Sequence, residues 1–189
     1  MTFLAISTRR IVGRGAGRRF EAEPGPATYL AAPRGAPAFH PDHKLSGAAE
    51  WAELVLGQLP KDGESRPSGD LVFLVHGFNV DEKDAFNFHR TVSENLDAVG
   101  FRHVLVSFDW PARGTITNYL EDNHDALVAA PNLVTGGIAL FARFTRPDCR
   151  TRVHVVAHSM GAYVTREAFR QAEGHPPASQ QRSIEGRSG

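Results

Sequence analysis

The stretch that most constrains the fold is Arg152–Gly161, which reads R-V-H-V-V-A-H-S-M-G. Val153, Val155 and Val156 are β-branched and apolar, the composition of a strand buried on both faces of a parallel sheet. Ala157 and Gly161 bracket Ser159, and Met160, Val164 and Ala168 then recur at helical spacing on one face. Strand, tight turn and helix, with a serine at the tip of the turn, is the order a nucleophile elbow requires.

Other segments repeat the alternation of strand and helix. Leu71–Val75 is a five-residue apolar run, the pattern of a covered central strand, and it ends abruptly at His76-Gly77-Phe78-Asn79. Asp81 is a good N-cap for a helix carrying Ala85, Phe88, Val92, Leu96 and Val99, and Gly100 is its stop signal. Val104–Phe108 reads as the next strand, leading into Asp109-Trp110-Pro111. Tyr119–Phe144 is mostly helical and must bend or divide at Pro131. Upstream, Phe3–Ser7 and Ala27–Ala31 read as short strands and Leu45–Leu59 as a helix. The arginines between them (Arg9, Arg10, Arg14, Arg18 and Arg19), interleaved with glycines, read as a solvated loop rather than a nucleic-acid surface. Such alternation implies βαβ units, a mostly parallel sheet and the α/β class, with ligands at the carboxyl ends of the strands. His76–Asn79, Asp109 and Ser159 all fall at such ends.

With 189 residues the chain is in the range of one domain, and 41% apolar content is enough for an ordinary core. Twenty-one basic residues against 21 acidic ones argue against nucleic acid or an anionic membrane as partner and favour a small molecule. The single cysteine, Cys149, reads as a packing or turn residue. No stretch approaches the roughly 20 apolar residues that span a bilayer. Phe3–Ile6 is too short for a signal-peptide core, so the expected location is the cytoplasm. Glu121, Asp122, His124 and Asp125 form a polar cluster best read as a solvated helix face, with no metal expected. Gly136-Gly137 lacks the preceding strand of a dinucleotide fingerprint, and no cofactor is expected.

A serine hydroxyl is a weak nucleophile at neutral pH; it needs an exposed position, a base and stabilisation of the oxyanion. The onset of a helix behind Ser159 aims the Met160 N–H at the developing charge, and the second donor belongs on a loop after another strand, where His76-Gly77-Phe78 stands. At these residues the chain resembles the α/β-hydrolase superfamily. More narrowly, His76–Asn79, Phe108-Asp109-Trp110-Pro111 and Ala157–Gly161 resemble a bacterial α/β-hydrolase family of undefined activity, with confidence over Leu71–Phe169. The resemblance implies a three-layer fold with helices on both faces of the sheet. It also implies Ser159 as nucleophile, an oxyanion hole from the Phe78 and Met160 N–H groups, and an acyl ester or related substrate. Gly77, Asn79 and Gly161 support those positions. His76 reads as a buttress of the oxyanion loop and His158 as a packing residue, neither as the base.

In this superfamily the acid and the histidine follow the serine. Only 30 residues follow Ser159, with Glu167, Glu173 and Glu185 as acids and His175 as the sole histidine. Ser159, Glu173 and His175 keep the order, but the helix behind Ser159 carries the chain roughly 18 Å away before they occur. The sequence therefore reads as residues 1–171, a partial hydrolase domain without its C-terminal strands, and residues 172–189, a polar disordered tail. Ile184-Glu185-Gly186-Arg187 matches a processing-protease site, and a truncated, frameshifted or naturally short chain all fit. Two functions follow: a serine hydrolase, esterase- or lipase-like, or a catalytically impaired hydrolase-like binding module. A sheet ending at the elbow strand would leave an open edge and uncovered apolar surface, to be covered by the missing segment or by a partner, self-association through that edge included.

Overall fold

β1 (Thr2–Val12) and β2 (Arg19–Pro33) form a long antiparallel pair at one side of the sheet. In the computed structural model, which describes residues 2–112, 119–145, 147 and 149–174, the elements that follow alternate. They are α1 (Ala48–Gln58), β3 (Asp70–Val75), α2 (Glu82–Ala98), β4 (His103–Asp109), α3 (Tyr119–Ala129), a π-helical turn (Leu133–Ile138), α4 (Ala139–Phe144), β5 (Arg152–Ala157) and α5 (Gly161–Gly174). The five strands are ordered β2-β1-β4-β3-β5, and every neighbouring pair except β1–β2 is parallel.

The pleat sends alternate side chains to opposite faces and so builds two cores. Leu4, Ile6, Leu71, Phe73, Val75, Val104, Val106 and Phe108 share one face. There they meet Trp51 and Val55 of α1, Ala126 and Ala129 of α3, Leu133, Phe141 of α4, and Val164 and Ala168 of α5. On the other face Phe3 and Ala5 meet Phe39, Ala85 and Phe86, while Val72, Leu74 and Leu105 meet Phe88 and Val92 of α2. The result is the expected α/β arrangement, a mostly parallel sheet with helices on both faces.

Several local expectations change. β5 is not covered on both faces: among the described residues it is the outermost strand, with Val153 39% and Val156 49% exposed. The first two strands are much longer than their apolar centres, because the antiparallel pair extends through register shifts at Ser7/Arg9 and Arg9/Arg10. Arg9, expected in a solvated loop, is therefore a strand residue 2% exposed. Asp125 is likewise buried rather than on a solvated helix face, whereas His124 is exposed.

The helix divides at Pro131 as expected, and a π-helical turn follows in which the Gly136 carbonyl accepts a hydrogen bond from the Tyr29 hydroxyl at 3.0 Å. By length and hydropathy His124–Phe144 does reach the measure of a membrane span, contrary to the sequence reading. In the fold Ala126, Ala129, Ala130, Leu133 and Phe141 of this stretch join the core. α5 continues to Gly174, past the domain boundary expected at residue 171. His175 and Ile184–Arg187 lie outside the described residues.

Candidate active site

β5 delivers Ser159 to the carboxyl edge through a turn whose backbone is fixed on all sides. The His158 N–H donates to the Val75 carbonyl at 2.9 Å, tying the turn to the end of β3. The Gly161 and Ala162 N–H groups donate to the His158 and Ser159 carbonyls, each at 2.9 Å. Held in this way, Ser159 has φ 53°, in the left-handed region. That region costs an L-residue about 1–2 kcal/mol and persists only where neighbours over-determine it. The consequence is an exposed side chain at the tip of the turn.

Two glycines permit this packing. A Cβ on Gly161 would stand 2.5 Å from the Val75 oxygen and 2.6 Å from the His76 oxygen, so only glycine lets α5 begin against the end of β3. A Cβ on Gly77 would stand 3.0 Å from both the Ser159 Cβ and the His158 Nδ1, so the loop after β3 lies directly on the serine turn. Among the described residues the backbone N–H groups of Phe78 and Met160 and the Ser159 hydroxyl have no hydrogen-bond partner. Asn79 is exposed, with φ 54°. His158 is exposed, and its ring meets Phe88 edge-on with centroids 6.0 Å apart.

Beneath the loop lies a buried polar network on the α2 side of the sheet. Residues 7 and 9 of β1 and 107 and 109 of β4 share that face by strand alternation. The Arg9 Nε donates to Asp109 Oδ1 at 2.9 Å and Oδ2 at 3.1 Å, and the Ser7 hydroxyl donates to Oδ2 at 2.7 Å. Arg9 also reaches the loop itself, donating from Nη2 to the Val80 carbonyl at 2.6 Å. Burial alone would raise the Asp109 pKa, but Arg9, His76 and Ser7 outweigh it and hold the carboxyl at about 2. Glu82, 3.8 Å from the Arg9 Nε, is pushed up by burial against the pull of Arg9.

His76 is turned into this network and away from Ser159. Its Nδ1 is 2.9 Å from the Gly77 carbonyl, so Nδ1 carries a proton. Nε2 lies 3.2 Å from Asp109 Oδ1 and 3.2 Å from the Trp110 N–H. These partners are alternatives: a neutral ring accepts from Trp110, and a doubly protonated ring donates to Asp109. The Trp110 indole N–H donates to the His76 carbonyl at 2.9 Å, with the two rings stacked 5.6 Å apart. Both ring nitrogens of His76 are thus occupied in holding the loop.

The fold brings Ser159, Gly77, His158 and Gly161 together and leaves other candidates apart. Among the described residues no histidine hydrogen-bonds to the Ser159 hydroxyl. Glu173 is exposed near the far end of α5, about 20 Å along the helix from Ser159. Glu167 is buried but engaged by Arg166 and Arg170. No group of three metal-ligating side chains occurs among the described residues. A cavity of about 400 Å³ opens beside Asn79, lined by Arg9, Phe20, Val80, Glu82 and Ala112, and Ser159 does not line it. Ser7 and Arg9 escaped the sequence reading; the alternation Phe3, Ala5, Ser7, continued two residues further, would have placed Arg9 on the same face.

A mostly parallel sheet that ends in a strand–serine–helix turn belongs to the α/β-hydrolase class of folds. Within that class, the chain is a member of the family described as α/β hydrolases of unknown function (DUF900), whose model matches residues 57–183. The match runs beyond the span on which the sequence alone showed the resemblance and leaves out β1 and β2. An uncharacterized protein of Nostoc sp. (strain PCC 7120) is 33% identical over 60 residues, which are 32% of this chain and 15% of that protein. The chain therefore matches a small part of that relative's length. No solved structure matches.

Proposed function

We propose that the chain is a cytoplasmic serine hydrolase, esterase- or lipase-like, acting on a small acyl ester or related compound. Ser159 attacks the acyl carbon, its proton passes to a base, and the tetrahedral oxyanion accepts hydrogen bonds from the Phe78 and Met160 N–H groups. Collapse releases the alcohol, which takes up a proton, and water then cleaves the acyl-enzyme. Gly77 and Gly161 allow the two loops to meet, while His76, Asn79 and His158 support them. The observation that carries this reading is the left-handed Ser159, held at φ 53° against a loop whose own N–H group is unengaged. Strain of this kind is kept where function requires it.

A second reading has its own observation. The Ser159 hydroxyl has no imidazole partner among the described residues, which suits a hydrolase-like module that binds its ligand without turning it over. Oxyanion stabilisation and binding alone leave about 10³–10⁴-fold acceleration over water when triad members are lost, so the hydrolase reading expects slow cleavage. A fluorophosphonate probe and short-chain p-nitrophenyl esters decide between them. Covalent labelling and slow ester turnover, both abolished in Ser159→Ala, are the expected result. Labelling that survives in Ser159→Ala would overturn the nucleophile assignment. Saturable ester binding with neither labelling nor turnover would establish the second reading.

A further inference from the structure

A second polar centre lies at the amino ends of the strands, the edge of the sheet opposite Ser159. His89, Ser93 and Asp97 stand four residues apart on α2 and so form one stripe along that helix. With Thr2 and Phe3 at the start of β1, His103 at the start of β4, and Arg34 just after β2, they line a cavity of about 80 Å³. That is room for about five waters, or for one ion of phosphate size. His89 is 2% exposed, and its Nδ1 is spent on the Ser107 hydroxyl at 2.8 Å. Nε2 is the polar atom the ring keeps for the cavity, and it has no hydrogen-bond partner among the described residues. A buried imidazole nitrogen without a protein partner calls for a ligand or an ordered water.

We propose that this cavity binds a small oxyanion, a phosphate or a short carboxylate, between the Arg34 guanidinium and the Nε2–H of His89. The balance of donors decides the sign of the ligand. The Thr2 hydroxyl accepts from Gln58 at 3.2 Å and the Ser93 hydroxyl from Arg34 at 3.4 Å, so each keeps its own proton to donate. With Nδ1 accepting from Ser107, a neutral His89 carries its proton on Nε2 and becomes a third neutral donor. Burial first and Arg34 second hold that ring neutral, with a pKa of about 3. Arg34 supplies a permanent positive charge and is anchored, its guanidinium 5.2 Å over the Phe3 ring. Asp97 opposes it, but is 56% exposed and meets Arg34 Nη2 at 3.7 Å, beyond hydrogen-bond distance, so it turns to water when an anion enters. His103 gives its Nδ1 proton to the Phe101 carbonyl at 2.7 Å and adds no donor while neutral. His89, His103 and Asp97 do not form a metal-ligating group. A planar guanidinium flanked by neutral donors suits the oxygens of a phosphate or a carboxylate. The inference is independent of whether Ser159 is a nucleophile.

NMR of the histidine ring nitrogens in the full chain, at constant ionic strength, tests it with phosphate, acetate and chloride as separate arms. Phosphate or acetate is expected to shift the His89 signals saturably, with a dissociation constant of about 1 mM, and to hold the proton on Nε2. Which of the two binds tells an inorganic ion from a carboxylate as the ligand. Arg34→Gln should weaken binding at least about tenfold and Asp97→Asn should tighten it about threefold, with circular dichroism spectra unchanged. Should Arg34→Gln fail to fold, Asp97→Asn, at an exposed position, decides by itself. A cavity that holds water only, with no saturable His89 shift from either ion, would overturn the proposal. So would an equal response to chloride, binding indifferent to Arg34→Gln, or binding weakened by Asp97→Asn.

Discussion

Arg9 Nε lies 2.9 Å from Asp109 Oδ1, with the two side chains 2% and 0% exposed, so an ion pair that never meets solvent joins β1 to β4 directly beneath the candidate oxyanion loop. The loop is reached from both partners: Arg9 donates to the Val80 carbonyl, and Asp109 faces His76. Removing one partner of such a pair leaves a buried charge uncompensated. Asp109→Asn is expected to cost about 3–5 kcal/mol in urea unfolding. Arg9→Met combined with Asp109→Asn should cost less than the sum of the two single changes, since each then removes the charge the other would strand.

The same carboxyl sets an acid limit. Asp109 titrates at about 2 in the fold, below its ordinary 3.8, so the unfolded chain binds its proton first as pH falls. Its contribution is fully present above about pH 4 and is lost between about pH 4 and pH 2. Urea midpoints across that interval should fall steeply in the unaltered protein and less so in Asp109→Asn.

His89 predicts a second limb at milder pH. Burial, with Arg34 and His103 adding to it, lowers its pKa from 6.5 to about 3, and Nδ1 pairs with the Ser107 hydroxyl at 2.8 Å. The fold prefers the neutral ring, so stability present above about pH 6.5 declines as pH falls toward 3, by at most about 1.4 kcal/mol per pH unit. His89→Gln keeps a hydrogen-bonding side chain but cannot titrate. Comparing unfolding free energies at pH 7 and pH 5 should show a smaller difference in the variant.

Ser159 and Gly161 answer oppositely to one methyl group. At φ 53° Ser159→Gly relieves backbone strain and should be more stable than Ser159→Ala by about 1 kcal/mol, while both lose all probe labelling. Gly161→Ala drives a carbon against the Val75 and His76 oxygens, so it should cost about 1–3 kcal/mol and slow labelling of an intact Ser159. Thermal melts alongside the labelling time course separate the two effects.

What could be read from the sequence follows from which signals are local. The Val-rich core of β3, the Asp81 cap that accepts from the Asp84 N–H at 2.8 Å, and Gly100 at φ 71° are set by neighbours in the chain, and all appear as expected. The position of β5 in the sheet is not local: R-V-H-V-V-A has the composition of a covered strand, but strand order decides what covers it. Arg9 was hidden for a related reason. An arginine within a basic, glycine-rich run looks solvated until its partner, 100 residues away, is known. At the site, the strand–turn–helix around Ser159 was legible from residue size alone, whereas the orientation of His76 depended on Trp110 and Asp109 from another strand.

The π-helical turn at Leu133–Ile138 makes this part of the chain unusually forgiving of a length change. A wide turn holds one residue more than an α-helix needs for the same advance, and here the freed Gly136 carbonyl is taken by Tyr29. Deleting a residue inside it would wind the backbone back to ordinary pitch while Ala129 and Phe141, on either side, keep the directions in which they pack. A deletion within α2 has no such slack and would rotate every later side chain of that helix by about 100°. The extra residue is thus a mechanical splice, joining two helical pieces whose facings are set independently by the sheet below them.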